Sequence, residues 1–333
     1  MDTTHKEYNV MTSLQPPTFQ DVLAARKRIA PYLRPTPLYH YPLLDELVGT
    51  EVWVKHENHQ PVGAFKVRGG INLALQLSPE EKAKGLITAS TGNHGQSVAY
   101  GARLVGVPAI IGMPEGANPG KVAAIRNLGA EILFHGRIFD DAKQRVEELA
   151  QSEGYRFVHP GDEPHLIAGV GTYSLEILEE LPNTEVIIVP VGGGSGASGA
   201  CIVSHAVNPH IQVIGVQAEK APAAQLTWKA RERVEAPMET FAEGVATAAP
   251  FMLPQSILWE HLHDFILVSE EELLRGIVHF LECTHNLAEG AAAASLAGAI
   301  KVRDRLKGKK VVLIMSGGNL SLANLRRALD LDR

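Results

Sequence analysis

From Leu86 onward the chain alternates short apolar runs with amphipathic stretches. "LITAS" precedes Gly95 to Val105, "PAIIGM" precedes Gly120 to Leu128, "EILFH" precedes Phe139 to Ala150, and "RFVHP" closes the series. Strand-length runs followed by 3.6-period patterns predict a parallel sheet with crossover helices. A second series, "EVIIVPV", "IQVIGVQ", "DFILVS" and "KVVLIMS", has the same rhythm, each run trailed by a helical pattern. Thr18 is placed to cap a helix over "FQDVLAARKRIAPYL". Ser78 and Glu81 form a capping-box pair, and Gly85 follows the lysine-rich end of that helix. No fixed repeat, low-complexity tract or long linker separates the two α/β units. They are therefore expected to touch closely, with a ligand between them or at the carboxyl ends of the strands.

Composition changes this picture only by exclusion. The chain has 333 residues, 45% hydrophobic and 20% charged, with a net charge of −6. That balance carries no electrostatic footprint for nucleic acid. No apolar stretch is long enough for a membrane span, and the first residues lack the apolar core of a signal peptide. Cys201 and Cys283 match no metal-ligand or redox spacing. The expectation is a cytoplasmic protein with a small-molecule ligand and a poorly ordered first ~15 residues.

Candidate chemistry gathers at three strand ends. "VPVGGGSGASGA" (Val189 to Ala200) is an anion cradle with two readings. Gly194, Gly196 and Gly199 spell G-x-G-x-x-G after a strand, and Glu219 ends the next apolar run, as in a nicotinamide-dependent oxidoreductase. Alternatively, the backbone N–H groups of Gly192 to Gly196 wrap a single phosphate. In "ASTGNHGQSVAYGARLVG" a strand ends at Ser90 and a helix begins by about His94. Ser90, Thr91 and Asn93 are its candidate caps, and its N-terminus is a place for a substrate carboxylate. In "VVLIMSGGNLSLANLRR" a strand stops at Ser316, two glycines turn, and a helix is expected to begin about Asn319 with that residue as cap.

The fourth feature is Lys66 in "ENHQPVGAFKVRGG". It follows Phe65 in an otherwise uncharged loop, ahead of a helix starting near Val67. It is either a solvated lysine at a helix start, where a cation opposes the dipole, or an amine desolvated against Phe65 with a lowered pKa suited to Schiff-base chemistry.

Together these motifs make the sequence resemble the serine/threonine dehydratase and serine racemase family of fold-type-II pyridoxal phosphate enzymes. The resemblance runs from "RPTPL" to the C-terminus through "GAFKVRGG", "STGNHGQ", "AGVGTYSLEI", "GGGSG", "FAEGVA", "LAEGAAAA" and "SGGN", in the family's order. It implies a two-lobed α/β fold, each lobe an open, mostly parallel sheet flanked by helices, with the cofactor in the cleft between them. Residues 1–84 and 163–333 would form the large domain and 85–162 a small mobile one. Lys66 would carry pyridoxal 5'-phosphate, yield it to the substrate amine and then remove the α-proton. Phe65, Asn93 and Gly244 would contact the cofactor, with Asn93 on its ring oxygen. Gly192, Gly193, Gly194, Ser195 and Gly196 would bind its phosphate, and Ser316 would face the pyridine nitrogen. Ser90, Thr91, Gly92, Asn93 and His94 would take the substrate carboxylate.

A neutral hydroxyl at the ring nitrogen makes a weak electron sink, which favours β-elimination over transamination. The implied activity is an ammonia-lyase for L-threonine or L-serine, in a homodimer. Phenylserine, 3-hydroxyaspartate and hydroxyectoine-pathway substrates are alternatives. So are serine racemisation, the nicotinamide oxidoreductase and a non-catalytic binding protein on the same fold.

Departures from the family pattern refine these expectations. Thr91 stands where racemases carry a serine base, and Ser195 where a fourth glycine is usual. Gln217 and Ala223 stand at positions that are acidic in members with a divalent-cation site, so no metal is expected. Gly161 replaces an asparagine that reaches the cofactor in racemases. No regulatory domain follows the catalytic fold, which points to a stand-alone catabolic type.

Overall fold

The computed structural model describes residues 14–331, so the expectation of disorder over the first dozen residues falls outside it. Two sheets organise the chain. The larger has six strands in the order β1-β2-β10-β7-β8-β9, and the smaller four in the order β5-β4-β3-β6. The strands are β1 (Leu38–His40), β2 (Glu51–His56), β3 (Leu86–Ala89), β4 (Ala109–Met113), β5 (Glu131–Phe134), β6 (Arg156–Phe157), β7 (Val186–Pro190), β8 (Gln212–Ala218), β9 (Asp264–Val268) and β10 (Lys310–Met315). Among the named strands of the described residues, only the β1–β2 pair is antiparallel. All eight expected strands form, most of them a residue or two shorter than the apolar runs.

The helices that place the site are α1 (Phe19–Ile29), α2 (Val67–Ala74), α3 (Asn93–Val105), α4 (Pro164–Glu180), α5 (Ser195–Val207), α6 (Met252–His261), α7 (Gly290–Lys301) and α8 (Leu322–Leu329). Thr18 caps α1 in a capping box with Asp21, and Ser78 does the same with Glu81 ahead of Pro79–Lys84. Helix α1 ends at Ile29 rather than running to Leu33, because Pro31 cannot continue it. Buried apolar residues lie on both faces of the large sheet. The alternation along β7 makes this plain: Ile187 and Val189 join the cluster around α4 and α5, Val186 and Ile188 the cluster around α7. Such two-sided burial is why these strands read as continuous apolar runs. Among the described residues no helix is long and apolar enough to cross a membrane.

Strands β2, β7 and β10 are parallel neighbours, with β10 central, so the segments that leave their carboxyl ends emerge side by side. The loop before Lys66, the glycine run and Ser316 are those three segments.

Candidate active site

Lys66 occupies the N-cap position of α2, a helix with every residue buried. Its Nζ donates to the carbonyl of Pro160 (3.4 Å) and to Ser195 Oγ (3.3 Å), and lies 5.6 Å from the centre of the Phe65 ring. Burial lowers its pKa from 10.5 to about 8. An amine so placed sheds its proton more readily than a solvated lysine, which suits Schiff-base formation.

The turn carrying Lys66 is held from behind by an ionic cluster that sequence reading missed. Arg68 donates from Nε and Nη2 to the two oxygens of Glu57 (2.7 and 2.8 Å) and from Nη1 and Nη2 to those of Glu176 (2.7 and 2.8 Å). Lys55 Nζ adds a bond to Glu176 Oε2 (2.7 Å), Arg26 reaches Glu176 Oε1 (3.0 Å), and Thr36 Oγ1 donates to Glu57 Oε1 (2.6 Å). Arg68, Glu57 and Lys55 are fully buried. From the side, Ser97 Oγ of α3 donates to the carbonyl of Lys66 (2.5 Å).

The glycine run turns sharply after β7. Gly194 takes a left-handed φ of +88° as N-cap of α5, which its lack of a side chain makes cheap. A Cβ on Gly192 would stand 2.2 Å from the carbonyl oxygen of Gly244. That close backbone approach explains the glycine at 192, while a Cβ on Gly244 would stand 2.7 Å from Ala291 Cβ. The N–H groups of Gly192 to Gly196 donate to nothing among the described residues, five donors converging at a helix N-terminus. Ser195 keeps its N–H in that set and turns its hydroxyl to the Lys66 amine. Tyr173, which sequence reading left unassigned, donates from its hydroxyl to the Gly196 carbonyl (2.7 Å) and sets its ring edge-on to Phe65.

Gly199 serves helix packing, since a Cβ there would lie 2.7 Å from Gly171 Cα of α4, and the dinucleotide reading fails at its acidic residue. Glu219 is exposed and paired with Lys301 (3.2 Å) at the surface.

At the end of β3, Ser90 Oγ accepts from the N–H groups of Gly92 (3.2 Å) and Gly95 (3.0 Å), so Ser90 does the capping. Helix α3 starts at Asn93, one residue before the expected His94, and Asn93 caps nothing. Its Nδ2 donates to Glu289 Oε1 (2.8 Å), and its Oδ1 accepts from Asn319 Nδ2 (2.7 Å). Thr91 and Gly92 form the partly exposed rim of this turn. His94 is buried and its Nε2 lies 3.0 Å from Thr88 Oγ1, with the pKa pushed down to about 3 by burial and by the nearby Lys66 charge. His159, T-stacked on Phe251, is lowered to about 4, again chiefly by burial. Neither histidine is charged at neutral pH, so an anion bound here meets backbone dipoles and the lysine.

Ser316 is buried, and its carbonyl accepts from Phe65 N (3.0 Å), while its hydroxyl makes no hydrogen bond among the described residues. The helix expected from Asn319 begins instead at Leu322, capped by Ser321. Asn319 is drawn away to Asn93 and to the carbonyl of Val62 (2.9 Å), so the local strand-turn-helix pattern misplaced the cap. Gly161 has a structural reason. A Cβ there would lie 2.1 Å from the Phe251 ring, which fills the space a side chain would need. Gln217 spends its amide on Gln225 N (3.0 Å) and Thr247 Oγ1 (3.3 Å).

The donor set fits pyridoxal phosphate: five free N–H groups for a phosphate, an amide tied through Asn319 to the Lys66 loop, a free hydroxyl at the end of β10, and a desolvated amine. Comparison with known proteins agrees. The family model described as "Pyridoxal-phosphate dependent enzyme" matches residues 29–317. An L-threonine ammonia-lyase of Thermotoga maritima is 39% identical over 315 residues, covering 94% of this chain and 78% of the relative. An L-threo-3-hydroxyaspartate ammonia-lyase of Saccharomyces cerevisiae is 37% identical over 309 residues, covering 92% and 94%. The solved structure of the processed form of threonine deaminase isoform 2 from Solanum lycopersicum matches with a TM-score of 0.90 at 30% identity, covering 95% of this chain and 90% of that one.

Proposed function

From the premise that the chain belongs to the pyridoxal-phosphate-dependent enzymes, with the type-II fold, we propose that it is an ammonia-lyase acting on a β-hydroxy-α-amino acid, L-threonine before L-serine. The observation that carries this reading is the meeting of Lys66, the Gly192 to Gly196 loop and Ser316 at adjoining strand ends, with Asn93, beyond β3 of the smaller sheet, tied to the Lys66 loop through Asn319. Gly192 to Gly196 would hold the phosphate, Asn93 Nδ2 the ring oxygen, Ser316 the ring nitrogen and Lys66 the aldehyde carbon. Bound there, pyridoxal phosphate supplies the electron sink that makes the α-proton of an attached amino acid acidic.

The protein's own groups do the rest. The N–H groups of Thr91, Asn93 and His94, the ones on this turn with no partner among the described residues, are offered to the substrate carboxylate, and the N-terminal dipole of α3 favours the anion. Lys66 Nζ takes the α-proton. Elimination then breaks the Cβ–O bond, and the hydroxyl leaves as water with the proton that Lys66 took, Thr91 being the hydroxyl we assign to relay it. The released enamine is hydrolysed to a 2-oxo acid and ammonia. Lys66 is held by Pro160 O and Ser195 Oγ, so the amine that removes the proton stays within reach to close the cycle.

Two observations favour an uncharged side chain on the substrate. The Phe251 ring walls the cleft beside Gly161 and Gly193, and His94 and His159 are neutral, so neither supplies a cation for a second carboxylate. The yeast relative keeps 3-hydroxyaspartate in the test. Closure of residues 85–162 over the cleft, homodimeric assembly and a cytoplasmic setting complete the proposal, and light scattering on the purified protein reads the assembly.

The test is a panel of threonine, serine, 3-hydroxyaspartate and phenylserine stereoisomers assayed for 2-oxo acid and ammonia. L-threonine is expected to turn over fastest. Lys66→Ala is expected to lose the visible band of the holoenzyme and at least about 10³-fold in rate. Preference for 3-hydroxyaspartate overturns the side-chain argument, and turnover of none overturns the activity.

A further inference from the structure

Glu289, in the motif "LAEGAAAA", sits at the N-cap of α7, where an acidic side chain ordinarily bonds the first free N–H groups of its own helix. Here it makes no cap bond. Its carboxyl is turned into the cleft, in a slot left by two missing side chains. A Cβ on Gly317 would stand 2.7 Å from Glu289 Oε1, and one on Gly244 3.6 Å from it. Its backbone is anchored to the same turn, Glu289 N donating to the carbonyl of Gly317 (3.0 Å). Among the described residues, the one side-chain partner of the carboxyl is Asn93 Nδ2, at 2.8 Å.

An amide has two interchangeable-looking ends, and a useful donor must be pointed the right way. Asn93 is clamped at both. Asn319 Nδ2 donates to its Oδ1, and Glu289 accepts from its Nδ2, leaving one Nδ2 proton free. Asn319 is itself fixed by the carbonyl of Val62, which belongs to the Lys66 loop.

We propose that Glu289 is a positioning residue for cofactor binding: it fixes the Asn93 amide so that its free proton faces the cofactor ring oxygen, and exchanges its own proton with solvent so that this contact depends on pH. The proposal rests on the cofactor assignment above and extends it to a residue that the assignment did not use.

The electrostatic surroundings agree with the geometry. Burial, reinforced by the Glu243 charge, pushes the Glu289 carboxyl up to about 7, against the opposing pull of Asn93, Lys121 and the backbone N–H of Asn319. Glu243 and Lys121 are the charged groups that face it, and they pair with each other across the cleft mouth. Ionised, Glu289 sets a negative charge one amide away from the ring oxygen. Protonated, it removes that charge.

The experiment uses the holoenzyme reconstituted with pyridoxal phosphate, its visible band titrated across neutrality, and cofactor affinity measured by fluorescence. The parental protein is expected to show a spectral transition near pH 7. Glu289→Gln, which still accepts from Asn93, is expected to lose the transition while keeping cofactor affinity within about threefold. Glu289→Ala, which frees the amide, is expected to weaken cofactor binding about tenfold. Persistence of the neutral transition in Glu289→Gln, or parental cofactor affinity in Glu289→Ala, overturns the assignment. If Glu289→Ala does not fold, the titration of Glu289→Gln decides alone, since a merely structural role would leave that midpoint in place. A parental protein that takes up no cofactor overturns both this inference and the reading beneath it, whereas parental uptake with unaltered variants overturns this one only.

Discussion

The glycine loop after β7 and the lysine turn after β2 face each other across 3.3 Å, from Lys66 Nζ to Ser195 Oγ, yet they are built by opposite means. The loop works through backbone and through what is absent. Its donors are main-chain N–H groups, and its shape depends on Gly192 lying against the Gly244 carbonyl. The lysine turn works through side chains gathered from afar. Arg68 ties together Glu57 and Glu176, and Lys55, Arg26 and Thr36 complete their bonding. The difference suits the guests proposed for the two sides. A phosphate is matched by a ring of dipoles that any sequence permitting the turn provides. A reactive amine has to be desolvated and held in one place, which needs a rigid, fully bonded surround.

Breaking the lysine side is expected to have the largest effect on stability. Arg68→Met leaves Glu57 and Glu176 buried without their main cation, and should cost about 3–5 kcal/mol in urea unfolding. A variant as stable as the parent would mean that the cluster is not what holds the turn.

Breaking the loop side should instead show in binding. Gly192→Ala drives a methyl into the Gly244 carbonyl and should weaken pyridoxal phosphate binding on the order of 10²-fold, read by cofactor titration. Ordinary affinity in that variant would remove the close approach from the account.

A smaller effect sharpens the electrostatic half of the comparison. The folded-state pKa of Lys66 lies near 8, below its ordinary 10.5, so between these values the unfolded chain binds more protons and stability rises with pH. Lys66→Met, studied without cofactor, should therefore be more stable than the parent at pH 7, by about 1 kcal/mol after allowing for partial exposure. The gap should close as pH climbs through 8 toward 10.5. Smallest of all, Ser195→Ala keeps its N–H and should change cofactor affinity by less than about threefold. A large loss would transfer part of the phosphate binding from backbone to hydroxyl.

Legibility in the sequence divides along the same line. The strands, the cap at Thr18, the capping box at Ser78, the turn of Lys66 and that of the glycine run are local patterns, set by neighbours within a few residues, and they form where they were read. Asn319 was misread for the same reason. Locally it is a cap after a strand and two glycines, but its amide is claimed by Asn93, remote in sequence. The Glu57, Arg68 and Glu176 cluster left no local signal, because three charged residues so separated look like three solvated ones until the fold removes the water. Glu289 was visible within a motif but without a role, since an acidic residue ahead of a helix reads as a cap.

By itself, then, the sequence determined the α/β rhythm, the lysine motif, the glycine turn and the family, because each depends on short-range backbone preference or on residue types at fixed spacing. Tertiary structure decided which carboxylates are buried, how the Asn93 amide is clamped, and which glycines of the two overlapping patterns lie against neighbouring backbone. Those outcomes depend on desolvation and on hydrogen bonds between distant segments, and neither quantity exists until the strands are laid side by side.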